Sequence, residues 1–183
     1  MIVGVDGNPT GWSAAGITAS GELKLESFRQ ISDVFDAWEI EILAIDMIIG
    51  LPESALKGGR IAERQARKLL SPRGSVVFSA PCRGSVYASS YEQALEYSRQ
   101  SSPDGIGLSK QSYNISPKIR ELDLFLRAHA DRQSRVFEVH PELSFWEMNH
   151  RVALPSKHSK AGISKRKELL NDHNLLPKRS VDV

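Results

Sequence analysis

The stretch Ile42-Leu43-Ala44-Ile45-Asp46-Met47-Ile48-Ile49-Gly50-Leu51-Pro52 decides how the rest of the chain reads. Its apolar run has the length and isoleucine content of a strand covered on both faces, and it delivers one carboxylate, Asp46, where that strand ends. A buried strand has no use for that charge, which is costly there unless it is hydrogen-bonded, paired or bound to a metal. The N-terminus repeats the pattern. Ile2-Val3-Gly4-Val5-Asp6-Gly7 is a second short apolar run ending in Asp, followed by the turn formers Asn8-Pro9-Thr10-Gly11. As neighbouring parallel strands, the two runs would set Asp6 and Asp46 side by side at one edge of a sheet.

The residues between them support that arrangement. Gly11 to Thr18 and Glu22 to Phe28 read as two further strands of a meander, the second alternating polar and apolar residues like a half-exposed antiparallel strand. Ser32 is placed to cap a helix carrying Ile31, Val34, Phe35 and Trp38 at helical spacing. A crossover helix of this kind permits parallel pairing of the fourth strand with the first. Beyond Pro52 the chain turns helical and basic: Arg60, Arg64 and Arg67 or Lys68 recur at one-turn spacing and share a face, either phosphate-facing or simply solvated. Ser75 to Arg83 reads as an extended loop, Tyr91 to Gln100 as a helix, and Ser116-Pro117 as a capped start of another, with Ile119, Leu122, Phe125 and Leu126 on its apolar side. Arg135 to Glu142 gives a fifth strand running into a helix start, and a last helix is expected over Ser164 to Asn174, with fraying from Leu175 to Val183. The fold class is therefore α/β: a mixed five-stranded sheet in β-β-β-α-β-α-β order, flanked by helices. It forms a single domain over 1–183, with a helical insertion at about 54–134 and a basic segment at 151–183.

Composition is that of a globular protein, at 40% hydrophobic and 25% charged residues. No apolar run approaches the ~20 residues needed to cross a bilayer, and the N-terminus lacks the apolar core of a signal peptide, so a cytoplasmic protein without a membrane partner is expected. The lone Cys82 rules out an internal disulfide and a cysteine-rich zinc site, and reads as a small buried residue. Net charge is +2, but residues 1–150 carry 16 basic against 19 acidic side chains and residues 151–183 carry 8 against 3. A basic end can contact phosphates or can simply be solvated surface. Homo-oligomerisation is open.

Asp6, Asp46 and Glu138, with Glu142 close behind, would form a cluster of hard oxygen ligands without thiolate. That chemistry suits Mg²⁺ or Mn²⁺, which take one or two carboxylates plus waters and substrate phosphate oxygens. Phosphodiester cleavage is its natural use, with Arg60, Arg67, Arg83, Lys118 and Lys157 as phosphate-holding candidates and Glu63, Glu121 and His140 in support. Each has a plainer reading. A strand-end Asp before Gly is often only a turn former, Glu121 and Asp123 would suit a surface helix, and His140 before Pro141 suits a structural hydrogen-bonding histidine. Trp12, Trp38 and Trp146 read as core.

Taken together, these pieces resemble a known family, an uncharacterised bacterial and archaeal domain of unknown function described as predicted nucleases of RNase H-like fold. The resemblance runs from Gly4-Val5-Asp6-Gly7 with Gly11-Trp12, through Ala44 to Pro52, to Arg60, Glu63, Ala66 and Arg67, and Val77-Phe78 with Pro81 and Arg83. It continues through Ser109 and Gln111, Pro117-Lys118-Ile119 with Glu121 and Asp123, Glu138-Val139-His140-Pro141-Glu142 with Phe145, and Lys157, Gly162 and Arg166. It implies an RNase H-like sheet and a metal-dependent nuclease. Three departures stand out: Glu63 where the family has Asp, Ile48 where it commonly has Pro, and an end at Val183 without the Asp-Asp-containing final helix of similar proteins. In RNase H-like enzymes a late acidic residue often completes the metal site. Two other functions fit the same residues. One is a non-catalytic nucleic-acid-binding module. The other is a nucleotide-phosphate-binding domain, because Asp6-Gly7 followed by Gly11 resembles the first phosphate loop of the actin, Hsp70 and sugar-kinase superfold.

Overall fold

The computed structural model of the chain describes residues 1–176, so the expected fraying is partly outside the described residues. Five strands, β1 (Ile2–Asn8), β2 (Gly11–Ile17), β3 (Leu23–Phe28), β4 (Ile42–Asp46) and β5 (Val136–Glu138), form one mixed sheet in the order β3-β2-β1-β4-β5. The first three strands are an antiparallel meander, while β4 runs parallel to both β1 and β5. Helix α1 (Ile31–Ala37) makes the crossover into β4. Between β4 and β5 lie α2 (Ile61–Leu69), α3 (Arg83–Tyr87), α4 (Tyr91–Ser101), α5 (Lys110–Asn114), α6 (Ser116–Ala128) and α7 (Ala130–Gln133). Two helices, α8 (Pro141–Met148) and α9 (Lys160–Asp172), follow β5.

The core lies on one side of the sheet. Val3, Val5, Trp12, Ala14, Phe28, Leu43, Ile45 and Val136 point to that side and pack with Ile31 and Val34 of α1 and Leu122, Phe125 and Leu126 of α6. Burying each of the larger side chains contributes about 1.5–3 kcal/mol. Here the structure departs from the expectation of a doubly covered β4: Leu43 and Ile45 are fully buried, while Ile42 on the other side is 38% exposed. The apolar run is continuous because Ile42 and Ala44 on one side alternate with Leu43 and Ile45 on the other, although the described residues cover only the side of Leu43 and Ile45.

Local signals were displaced by one to four residues. Gln30, not Ser32, caps α1, its N–H donating to Asp33 Oδ2 at 2.9 Å. Ile115, not Ser116, precedes α6, and Ser116 is buried with its hydroxyl on the Ser112 carbonyl. The stretch from Ser75 to Arg83, read as extended, begins within a 3₁₀ turn, Gly74–Val76. The last helix starts at Lys160 because Ser159 accepts from the Gly162 N–H. Trp12 and Cys82 are fully buried, whereas Trp38 and Trp146 are half-buried. Among the described residues no helix is long and apolar enough to cross a membrane.

Candidate active site

The two strand-end aspartates meet as the sequence required. Asp6 and Asp46 are direct partners across the parallel ladder of β1 and β4, one strand spacing apart, about 4.8 Å. Because side chains alternate along a strand, both leave the sheet on the side opposite to Val5 and Ile45. Asp6 is exposed and Asp46 half-buried, and among the described residues neither forms an ion pair within 4 Å. Burial pushes the Asp46 carboxyl above its ordinary value. His140 and Lys157 pull it down, and the negative charges of Asp6 and Glu138 add to the rise.

Glu138 is placed differently. The β4–β5 ladder pairs it with Ile45, so it leaves on the helix-covered side rather than beside Asp46. There it accepts from the Ile49 N–H at 2.8 Å and from Arg60 Nη2 at 2.5 Å. Arg60 also reaches the Ile49 and Gly50 carbonyls and the carboxylate of Glu63, whose side chain is 5% exposed. Glu63 Oε2 in turn accepts the Arg60 N–H at the start of α2, which makes it the capping acid of that helix. This close approach needs Gly59, at φ +78°, because a Cβ there would lie 2.5 Å from Glu63 Oε2. One guanidinium thus ties the turn after β4 to α2 and β5.

The rest of the arginine stripe turns inward too. Arg64 bonds the Gly59 carbonyl, and Arg67 donates to Val77 O, Gly58 O and Ser79 Oγ. Neither the solvated nor the phosphate-facing reading of this face describes that arrangement, since backbone carbonyls of the loops it clamps take its donors. Glu142 is held by Arg166 through two bonds of 2.8 and 2.7 Å, joining α8 to α9. Arg83 is shared between Glu53 and Asp123, and Asp123 also accepts from Tyr87 Oη at 2.6 Å. Asp123, read as a surface residue, is therefore the centre of a polar cluster that sequence spacing does not announce.

Glu121 likewise binds α6 to the sheet: its Oε1 accepts from Trp12 Nε1 and from the Ile31 N–H, both at 2.8 Å. Lys118 lies 4.6 Å over the Trp12 ring and 3.3 Å from Glu121 Oε2. His140 caps α8, its Nδ1 accepting from the Glu142 N–H at 3.2 Å. Of the five basic candidates, the structure brings only Lys157, on the exposed loop before α9, to bear on Asp46 without committing it to a carboxylate among the described residues.

Among the described residues no three His, Cys, Asp or Glu side chains are gathered as a metal-binding group. The paired donor set is Asp6 and Asp46, two hard carboxylates whose mutual repulsion a divalent cation would relieve. No curated protein matches the chain, and no solved structure matches it. A family model does, over residues 4–182, and the chain belongs to that family, described as Protein of unknown function (DUF429).

Proposed function

We propose that the chain is a metal-dependent nuclease or related phosphodiester hydrolase on an RNase H-like sheet. The observation that carries the proposal is the pairing of Asp6 with Asp46 towards the carboxyl ends of two adjacent parallel strands, with no ion pair to either within 4 Å among the described residues. The strand order, with β2 alone antiparallel to its two neighbours in the sheet, supports the fold reading.

Asp6 and Asp46 would hold Mg²⁺ or Mn²⁺ through oxygen. Such an ion supplies a Lewis acid and a bound water acidic enough to attack at neutral pH. The protein's own contribution is a fixed two-carboxylate edge, held by the ladder rather than by flexible loops. Lys157, exposed and with its charge felt at Asp46, would hold a substrate phosphate. Glu138, through Arg60 and the Ile49 N–H, positions the turn that follows Asp46. Glu142 positions α8 and α9 around the loop bearing Lys157.

The test is cleavage of single-stranded, duplex, hybrid and branched nucleic acids in Mg²⁺ or Mn²⁺. The parent chain is expected to cut at least one of them, with loss of activity in chelator and in Asp46→Asn. A parent chain that cuts none but binds them in a salt-sensitive way, unchanged in Asp46→Asn, would replace this reading with a binding module.

A further inference from the structure

Among the described residues, the side of the sheet opposite to α1 and α6 is apolar and open. The ladders align its side chains into rows across the five strands. Leu23, Ile17, Ile2 and Ile42 form one row. Leu25, Ala15, Gly4, Ala44 and Phe137 form the next. Ser27, Ser13, Asp6 and Asp46 form a third at the rim. The first two rows hold no charged residue. In the single chain Leu25 is 61%, Ile2 54%, Phe137 51% and Ile42 38% exposed.

The edge strand β3 is patterned for the opposite situation. Leu23 and Leu25 face the open side, while Lys24 and Glu26 face the side of Phe28 and the helices. A half-buried strand puts its apolar set towards the interior and its charges towards water. This strand is written as though the open side were the interior.

We propose that this face is the interface between two copies of the chain, packed sheet on sheet. The surface is complementary to itself. Ile17, Ile2 and Ile42 make a ridge, and the adjoining Ala15, Gly4 and Ala44 make a trough between Leu25 and Phe137. A two-fold axis in the interface plane, across the strands and between these rows, lays the ridge of each copy into the trough of the other. Five strands at about 4.8 Å and two rows at about 6.6 Å give roughly 300 Å² in projection per copy. With its rim, the pair buries on the order of 1,000 Å², the lower end of what a specific interface needs. Asp6 and Asp46 lie beyond the trough, so both acidic sites stay open at opposite rims of the pair.

Sedimentation equilibrium of the full chain from about 5 to 500 µM tests this, a range that spans micromolar dissociation constants. The expected result is a concentration-dependent rise towards twice the chain mass of 20.3 kDa. Leu25→Glu, which charges an exposed position, should hold the mass at 20.3 kDa throughout with unchanged circular dichroism. Gly4→Val should do the same by filling the trough. A Cβ at Gly4 has its nearest neighbour 3.9 Å away, so this strand-favouring change leaves the single chain folded. Glu26→Lys, on the other side of the same strand, should still pair. A parent chain that stays at 20.3 kDa at every concentration overturns the proposal, as does a pair that survives both Leu25→Glu and Gly4→Val.

Discussion

Two pairs of acids in this chain look alike in sequence and are used in opposite ways. Glu138 and Glu142 are matched: Arg60 and the Ile49 N–H hold the first, and Arg166 holds the second through both oxygens. Asp6 and Asp46 face each other across a ladder with no such partner among the described residues, and burial raises the Asp46 carboxyl further. A carboxylate that answers to a guanidinium is part of the scaffold, whereas two unmatched carboxylates side by side need an outside cation. The contrast separates what holds the site from what the site can do.

The largest effect should come from removing the clasp. Arg60→Met leaves Glu63, 5% exposed, without its charge partner and frees Glu138 and the turn after β4. A loss of about 3–5 kcal/mol is expected in chemical denaturation. Glu142→Gln should cost less, about 2 kcal/mol, because Arg166 keeps the Pro155 and Gly162 carbonyls as partners. A null result for either would remove the distinction between the matched and the unmatched pair.

Asp46→Asn should act in the other direction. The folded carboxyl holds its proton to higher pH than the unfolded one, so ionising it disfavours the fold. This penalty is absent below the ordinary aspartate value of about 3.9 and grows as pH rises through the folded value. The variant should therefore melt higher than the parent at pH 7 without divalent metal, and the difference should vanish towards pH 3. Equal melting at both pH values would show that the pair carries no electrostatic strain. Smallest of all, Lys157→Ala should change stability by no more than about 0.5 kcal/mol, since the side chain is exposed. It should nevertheless weaken nucleic-acid binding and flatten its salt dependence by about one phosphate contact.

The sheet and the aspartate pair were legible in the sequence because both depend on simple periodicities. Two short apolar runs ending in Asp, a meander and one crossover helix leave little choice about which strands adjoin. The fate of the other candidates was not legible. Whether Glu138 faces Asp46 or the helices depends on a one-residue register between β4 and β5, which apolar content does not specify. Arg60 and Arg67 recur at helical spacing as any solvated face would, yet loop carbonyls 9 to 11 residues away, with the Ser79 hydroxyl, Glu63 and Glu138, take their donors. Asp123 and Tyr87 meet through a contact of 36 residues' separation, for which no local motif exists. The open face is hidden in the sequence for a related reason: alternation in β3 reveals that one side is apolar, but not which side the helices take.

The most direct test of the distinction between the two pairs is a Mn²⁺ titration by calorimetry of the parent chain, Asp6→Asn, Asp46→Asn and Glu142→Gln. The account predicts binding by the parent and by Glu142→Gln, with loss in both aspartate variants while all four remain folded. Binding that survives in Asp46→Asn, or that disappears only in Glu142→Gln, would contradict it.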